Sequence, residues 1–73
     1  MLWLIRNTDT SDVIVGCNIC TSIKDSNMHQ LWATRPNGKT MIVKESNDKQ
    51  EVELIKNAID YAIEHKETSL RLD

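Results

Sequence analysis

The sequence predicts an α+β fold: a four-stranded antiparallel meander with one C-terminal helix packed across one face, in the order ββββα, and a short extra strand at the carboxyl end. Three observations predict it. The stretch from Asn47 to Lys66 carries the one long helical periodicity in the chain. The stretch from Val13 to Ile23 alternates as a strand does. Pro36-Asn37-Gly38 sits between two apolar runs as a hairpin turn should. Sequential strands joined by short connections pair antiparallel, and a sheet with one apolar helix beside it makes two layers.

Taken in order, Leu2 to Ile5 is an apolar run and reads as a strand. Asn7 to Asp12 is wholly polar and has a turn composition. In the second strand Val13, Val15, Cys17, Ile19, Thr21 and Ile23 alternate with Ile14, Gly16, Asn18, Cys20 and Ser22. The first set is almost wholly apolar and is expected to face the helix. Gly16 marks a bulge or a close approach of another group. Met28 to Arg35 is the third strand. In the turn that follows, proline presets the first dihedral, while asparagine and glycine tolerate positive φ, which gives a three-residue bulged loop. Lys39 to Glu45 is the fourth strand. Leu70-Arg71-Leu72 alternates and supplies the extra strand.

The helix shows apolar residues at Val52, Ile55, Ala58, Ile59, Ala62 and Ile63, with Leu54 and Tyr61 widening the stripe on one flank. Asn47 or Asp48 caps its first turn. Lys49 pairs with Glu53 and Lys56 with Asp60 at the i,i+4 spacing, for a few tenths of a kcal/mol each.

The chain has 73 residues and is read as a single domain spanning 1–73. A chain this short buries about 60% of its unfolded surface, so its stability is marginal without a metal, disulfides or a second subunit. No apolar run is long enough for a membrane span and no basic segment leads into an apolar signal core, so the expected location is the cytoplasm. The net charge of −2 argues against nucleic acid as a partner. From Met1 to Val43 four basic residues (Arg6, Lys24, Arg35, Lys39) stand against three acidic ones, and from Lys44 to Glu67 four stand against seven. The helix is therefore the acidic side, with Glu53, Asp60 and Glu64 as a candidate acidic surface.

A helix covers one face of a sheet. With Trp3, Ile5, Val13, Val15, Cys17, Ile19, Met28, Trp32, Met41 and Val43 on that side, the other carries Leu2, Leu4, Ile14, Cys20, Leu31 and Ile42. A solvated antiparallel face should be mostly polar. An apolar surplus of this kind marks a partner surface, and Leu4, Ile14, Cys20, Leu31 and Ile42 are its candidate residues.

Other chemistry is thinly supported. Cys17 and Cys20 have the spacing of a zinc knuckle, but a zinc site takes four ligands, and His29 and His65 are the only histidines. Residues three apart in a strand point to opposite faces, so the two thiols do not converge. Cys17 reads as a small buried hydrophobe. His29 has no nucleophile placed beside it by any recognisable motif. Asp60 and Glu64 share a helix face as paired carboxylates do, and also as solvated charges do. Trp3 with Arg6 and Trp32 with Arg35 juxtapose a ring and a cation, as single-strand binders do, although aromatics more often fill small cores. No metal, cofactor or catalytic residue is expected.

The opening Trp3, Ile5 and Arg6, a short second strand near a cysteine, a hairpin and the Val, Ile and Ala stripe of the helix together resemble small uncharacterised proteins of phages and mobile elements of Gram-positive bacteria. The likeness runs through most of the chain in outline and departs at the carboxyl end, where those relatives often carry an aromatic strand. It implies a compact intracellular protein that binds host machinery, including inhibitors of bacterial defence systems such as anti-CRISPR proteins. The expected function is a non-enzymatic protein–protein interaction module, partnered by itself as a homodimer or by a larger host protein, with no membrane. Two alternatives stay open: a weak nucleic-acid binder using Arg6, Lys24, Arg35 and Lys39, and a small metal-binding protein centred on Cys17, Cys20 and His29.

Overall fold

The computed structural model describes residues 1–7, 10–22, 24 and 27–72, with the backbone alone at 6, 7, 10 and 11. The order is β1 (Leu2–Asn7), β2 (Thr10–Ile14), β3 (Gly16–Thr21), β4 (His29–Thr34), β5 (Thr40–Ser46), α1 (Lys49–Glu64) and β6 (Ser69–Arg71). The fold is α+β, but the strands form two three-stranded sheets rather than one four-stranded meander: β2-β1-β6 and β3-β4-β5. The expected second strand is broken at Val15, and its two halves serve different sheets. Ile23, its expected last residue, lies outside the described residues.

The break has a physical signature in the side-chain phase. In β2 the even position Ile14 is buried, whereas in β3 the odd positions Cys17 and Ile19 pack on the core. A strand cannot keep one face buried in both sheets without such a switch, because its side chains alternate strictly. Val15 absorbs it, with its N–H donating to the Thr34 carbonyl at 2.8 Å. Gly16 follows at once, and a Cβ placed on it would meet nothing within 4 Å. The expected close approach at Gly16 is therefore corrected.

The core is aliphatic: Leu2, Leu4, Ile14, Leu31, Ala33, Val52, Ile59 and Ala62 are fully buried. Three of the residues assigned to an exposed partner face, Leu4, Ile14 and Leu31, thus form the centre of the protein, and that assignment is corrected. Leu2-Trp3-Leu4-Ile5 is apolar on both faces, so alternation alone does not choose its phase. The choice falls to the leucines, and Trp3 and Ile5 turn outward. In β4, Leu31 and Ala33 turn inward and Trp32 outward. The expectation that the tryptophans fill the core is corrected with it. Cys20 and Ile42 are exposed, as expected.

The helix spans Lys49–Glu64, inside the expected range. The Asp48 carboxylate accepts from the Gln50 N–H at 3.0 Å and caps it. At the other end the Glu67 N–H reaches the Ala62 carbonyl at 2.9 Å and the Lys66 N–H the Ile63 carbonyl at 3.1 Å. This is a Schellman close, with Lys66 in the left-handed region at φ 56°. Leu54 and Tyr61 do not widen the buried stripe. At about 100° per residue they fall roughly opposite Val52 and Ile59, and they are 70% and 59% exposed.

The hairpin behaves as its sequence predicts. Gly38 takes φ 87°, its N–H donates to the Arg35 carbonyl at 2.9 Å, and the Arg35 N–H donates to the Lys39 carbonyl at 2.8 Å. The carboxyl strand β6 pairs parallel to β1, with Leu70 opposite Leu4. The helix is the crossover that carries the chain from one sheet to the other. An ion pair between Arg35 and Asp12 at 3.2 Å adds a side-chain link between the sheets.

Candidate interaction surface

The apolar surplus that the sequence suggests exists, but on other residues. Leu2 pairs with Ile14 and Trp3 with Val13. Because Leu2, Leu4 and Ile14 point into the core, the alternate residues of β1 and β2 point out. Trp3 and Ile5 on β1 thus share the outer face with Val13, and Met1 and Val15 continue it beyond the ends of the two strands. Met1 is 82%, Trp3 51% and Val15 46% exposed. Ile5 and Val13 are half-buried. On the β6 side, Ser69 stands opposite Trp3 and Arg71 opposite Ile5.

Next to this ladder lies a cavity of about 400 Å³, where the last turn of α1 meets the bend at Val15. Met1, Val15 and Ile63 give it apolar walls, and Lys66 and Thr68 line it too. The Thr68 carbonyl accepts from the Trp3 N–H at 2.9 Å, so the backbone under the ladder also builds the cavity wall.

The acidic helix surface is placed by its contacts. Asp60 lies 3.5 Å from the Cys17 thiol, on the β3 side, whereas Glu51 meets Lys44 of β5 at 2.9 Å, on the other. Glu53 and Glu64 lie on the same flank as Asp60 by helical spacing. This flank is not a free acidic array. Lys49 approaches Glu53 at 3.9 Å, and Lys56 holds Asp60 at 2.5 Å. The hydrogen bond to Asp60 raises the Lys56 pKa. Hydrogen bonds from Lys44 and Ser46 lower that of Glu51.

The residues of the metal reading are not brought together. Cys17 faces the helix and Cys20 is exposed on the opposite face. Burial, reinforced by the charge and hydrogen bond of Asp60, pushes the Cys17 thiol up to about 11. His29 is paired with Thr21, four residues along β3 from Cys17, a span of about 13 Å. Its Nδ1 is buried without a hydrogen-bond partner among the described residues. No group of three or more His, Cys, Asp or Glu suited to a metal ion occurs among the described residues.

The basic residues of the nucleic-acid reading are also spread apart. Lys24 precedes β4 and Lys39 follows it, so the length of that strand, about 20 Å, separates them. The Arg35 guanidinium is held by Asp12 and by the Met41 sulfur at 3.3 Å. The Arg6 side chain lies outside the described residues. No described helix is long and apolar enough to cross a membrane.

Compared with protein-family models, with curated proteins and with solved structures, the chain matches none.

Sequence reasoning missed Met1, Trp3, Ile5, Val13 and Val15 as surface because it placed four of them under the helix. The one local signal was Gly16, which stands directly after the switch in phase.

Proposed function

We propose that this protein is a non-enzymatic protein–protein interaction module that engages a larger protein through the ladder of Met1, Trp3, Ile5, Val13 and Val15. The observation that carries the reading is Trp3, a large ring half exposed at the centre of an apolar sheet face. Taking about 150–250 Å² for each large side chain, Met1, Trp3 and Val15 together offer roughly 350 Å² of apolar surface. A standard interface takes about 800 Å² from each partner. The ladder is thus the apolar centre of a contact whose rim is Ser69, Arg71, Lys66 and Glu67. Tryptophan at such a centre is one of the residue types that dominate binding energy. Inhibition of a host protein, as the likeness to phage-borne proteins implies, is one form of this activity.

The test is site-specific photocrosslinking in cells, with the reactive side chain at position 3 and, as a control, at Asn37 on the hairpin tip. A discrete adduct with another protein from position 3, absent from position 37 and lost on Val15→Lys, is expected. The same adducts from both positions, or none from position 3, would overturn the reading.

A further inference from the structure

We propose that the outer edge of β3 pairs, strand to strand and antiparallel, with β3 of a second copy of this chain. In the second sheet β3 is an edge strand with β4 as its one neighbour. The Ser22 N–H donates to the Met28 carbonyl at 2.9 Å, which extends the β3–β4 register by one position. Hydrogen-bonded and non-bonded pairs alternate in an antiparallel ladder. The even residues of β3 therefore bond to β4, and Cys17, Ile19 and Thr21 direct their N–H and C=O groups away from it. No described strand covers those groups.

This edge lacks the devices that keep edges apart, which are charge, proline, bulges and short length. Gly16–Thr21 reads Gly-Cys-Asn-Ile-Cys-Thr, six residues without a charge or a proline. Its pairing with β4 runs without interruption. The other edges are protected. Pairing of β5 with β4 is bulged at Leu31/Trp32, and β5 carries Lys44 and Glu45. The register of β2 with β1 shifts between Ile5 and Asn7, and β2 carries Asp12. Strand β6 is three residues long.

Charge selects a second copy as the occupant. Antiparallel self-pairing of an uncharged strand opposes no like charges. With Ile19 on the two-fold axis, Cys17 meets Thr21 of the other copy and Asn18 meets Cys20, so the inner and outer faces stay in phase. The helix flank on the β3 side carries Lys49, Glu53, Lys56, Asp60 and Glu64. That flank carries two lysines against three carboxylates, with Lys49 near Glu53 and Lys56 on Asp60 within the chain, so a second copy brings little net charge against it, whereas a strongly basic or acidic peptide would meet repulsion from the like-signed part of it.

Light scattering over a dilution series tests the pairing on wild type and three variants. Asn18→Lys puts a charge on the exposed face of the edge. Thr21→Pro removes an outward N–H without cutting a bond to β4. Trp3→Lys alters the ladder and leaves the edge alone. The expected result is a wild-type dimer that Trp3→Lys preserves and that Asn18→Lys and Thr21→Pro each weaken by more than about tenfold, with circular dichroism unchanged. A wild-type monomer at every concentration, a dimer indifferent to both edge variants, or one dissolved by Trp3→Lys would overturn the proposal. Crosslinking from position 3 is a separate readout, so either surface can fail without the other.

Discussion

The inward turn of Leu4 and the outward turn of Trp3 decide where the exposed apolar ladder of the proposed function lies, and a pair of lysine substitutions separates the two phases of β1. Leu4 is fully buried in one core cluster with Leu2 and Ile14, and stands opposite Leu70 of β6. Leu4→Ala removes about 2–5 kcal/mol, the transfer of three carbons plus the cavity they leave. A domain of this size holds about 3–5 kcal/mol in all, so Leu4→Ala loses most of its stability. Leu4→Lys adds an unpaired ammonium and unfolds the chain. Trp3→Lys keeps an aliphatic stem over Val13 and places its charge in water, at a cost of about 1–2 kcal/mol. Urea titration followed by far-ultraviolet circular dichroism reads both. A folded Leu4→Lys protein together with an unfolded Trp3→Lys protein would refute the phase and remove the ladder.

Lys66→Gly should stabilise the protein. The left-handed conformation at φ 56° costs a lysine about 1–2 kcal/mol, of which glycine's greater unfolded freedom returns about 0.5–1. The net gain of about 0.5–1 kcal/mol corresponds to a rise in Tm of about 2–8 °C, and Lys66→Ala, which keeps the Cβ, should not show it. Of the two free thiols, exposed Cys20 should be alkylated quickly at pH 8, and Cys17, whose pKa is about 11, should stay protonated and unreacted in the folded state. Equal rates at the two sites, read by mass spectrometry, would contradict the packing of Cys17 against Asp60.

Much of this fold is legible in the residues. The helix follows from its stripe and its cap because Val52, Ile59 and Ala62 recur at helical spacing and Asp48 supplies an oxygen where the first turn needs one. The hairpin follows from Gly38, and the inward set Cys17 and Ile19 follows from alternation. What is not legible is phase. Leu2 to Ile5 is apolar at every position, so a period of two has nothing to choose between. In β4 the choice lies between Trp32 and the smaller pair Leu31 and Ala33, and it is the pair that turns inward. The break at Val15 is hidden because both halves alternate well on their own. Each such ambiguity moves an entire set of side chains to the opposite face. Glu53, Asp60 and Glu64 share a helix flank by spacing alone, but Lys49 and Lys56 lie among them, and of the sheet candidates only Cys20 and Ile42 are exposed.

The distribution of large side chains adds a last step. A small domain of marginal stability gains most from burying its aromatic rings. Here the fully buried set contains none, while Trp3 and Tyr61 stand more than half exposed. Ala33 of β4 and Ala62 of α1 are both fully buried, so part of the core is lined by small side chains. The fully buried core is thus aliphatic, and Trp3 and Tyr61 lie outside it. Exposed rings contribute little to folding, and their contribution is recovered only when another molecule covers them. Under the proposed function, partner binding at the ladder should therefore be coupled to stability: a ligand that binds the folded state alone raises Tm with its concentration. The marginal core and the apolar ladder are two consequences of one choice of phase in β1.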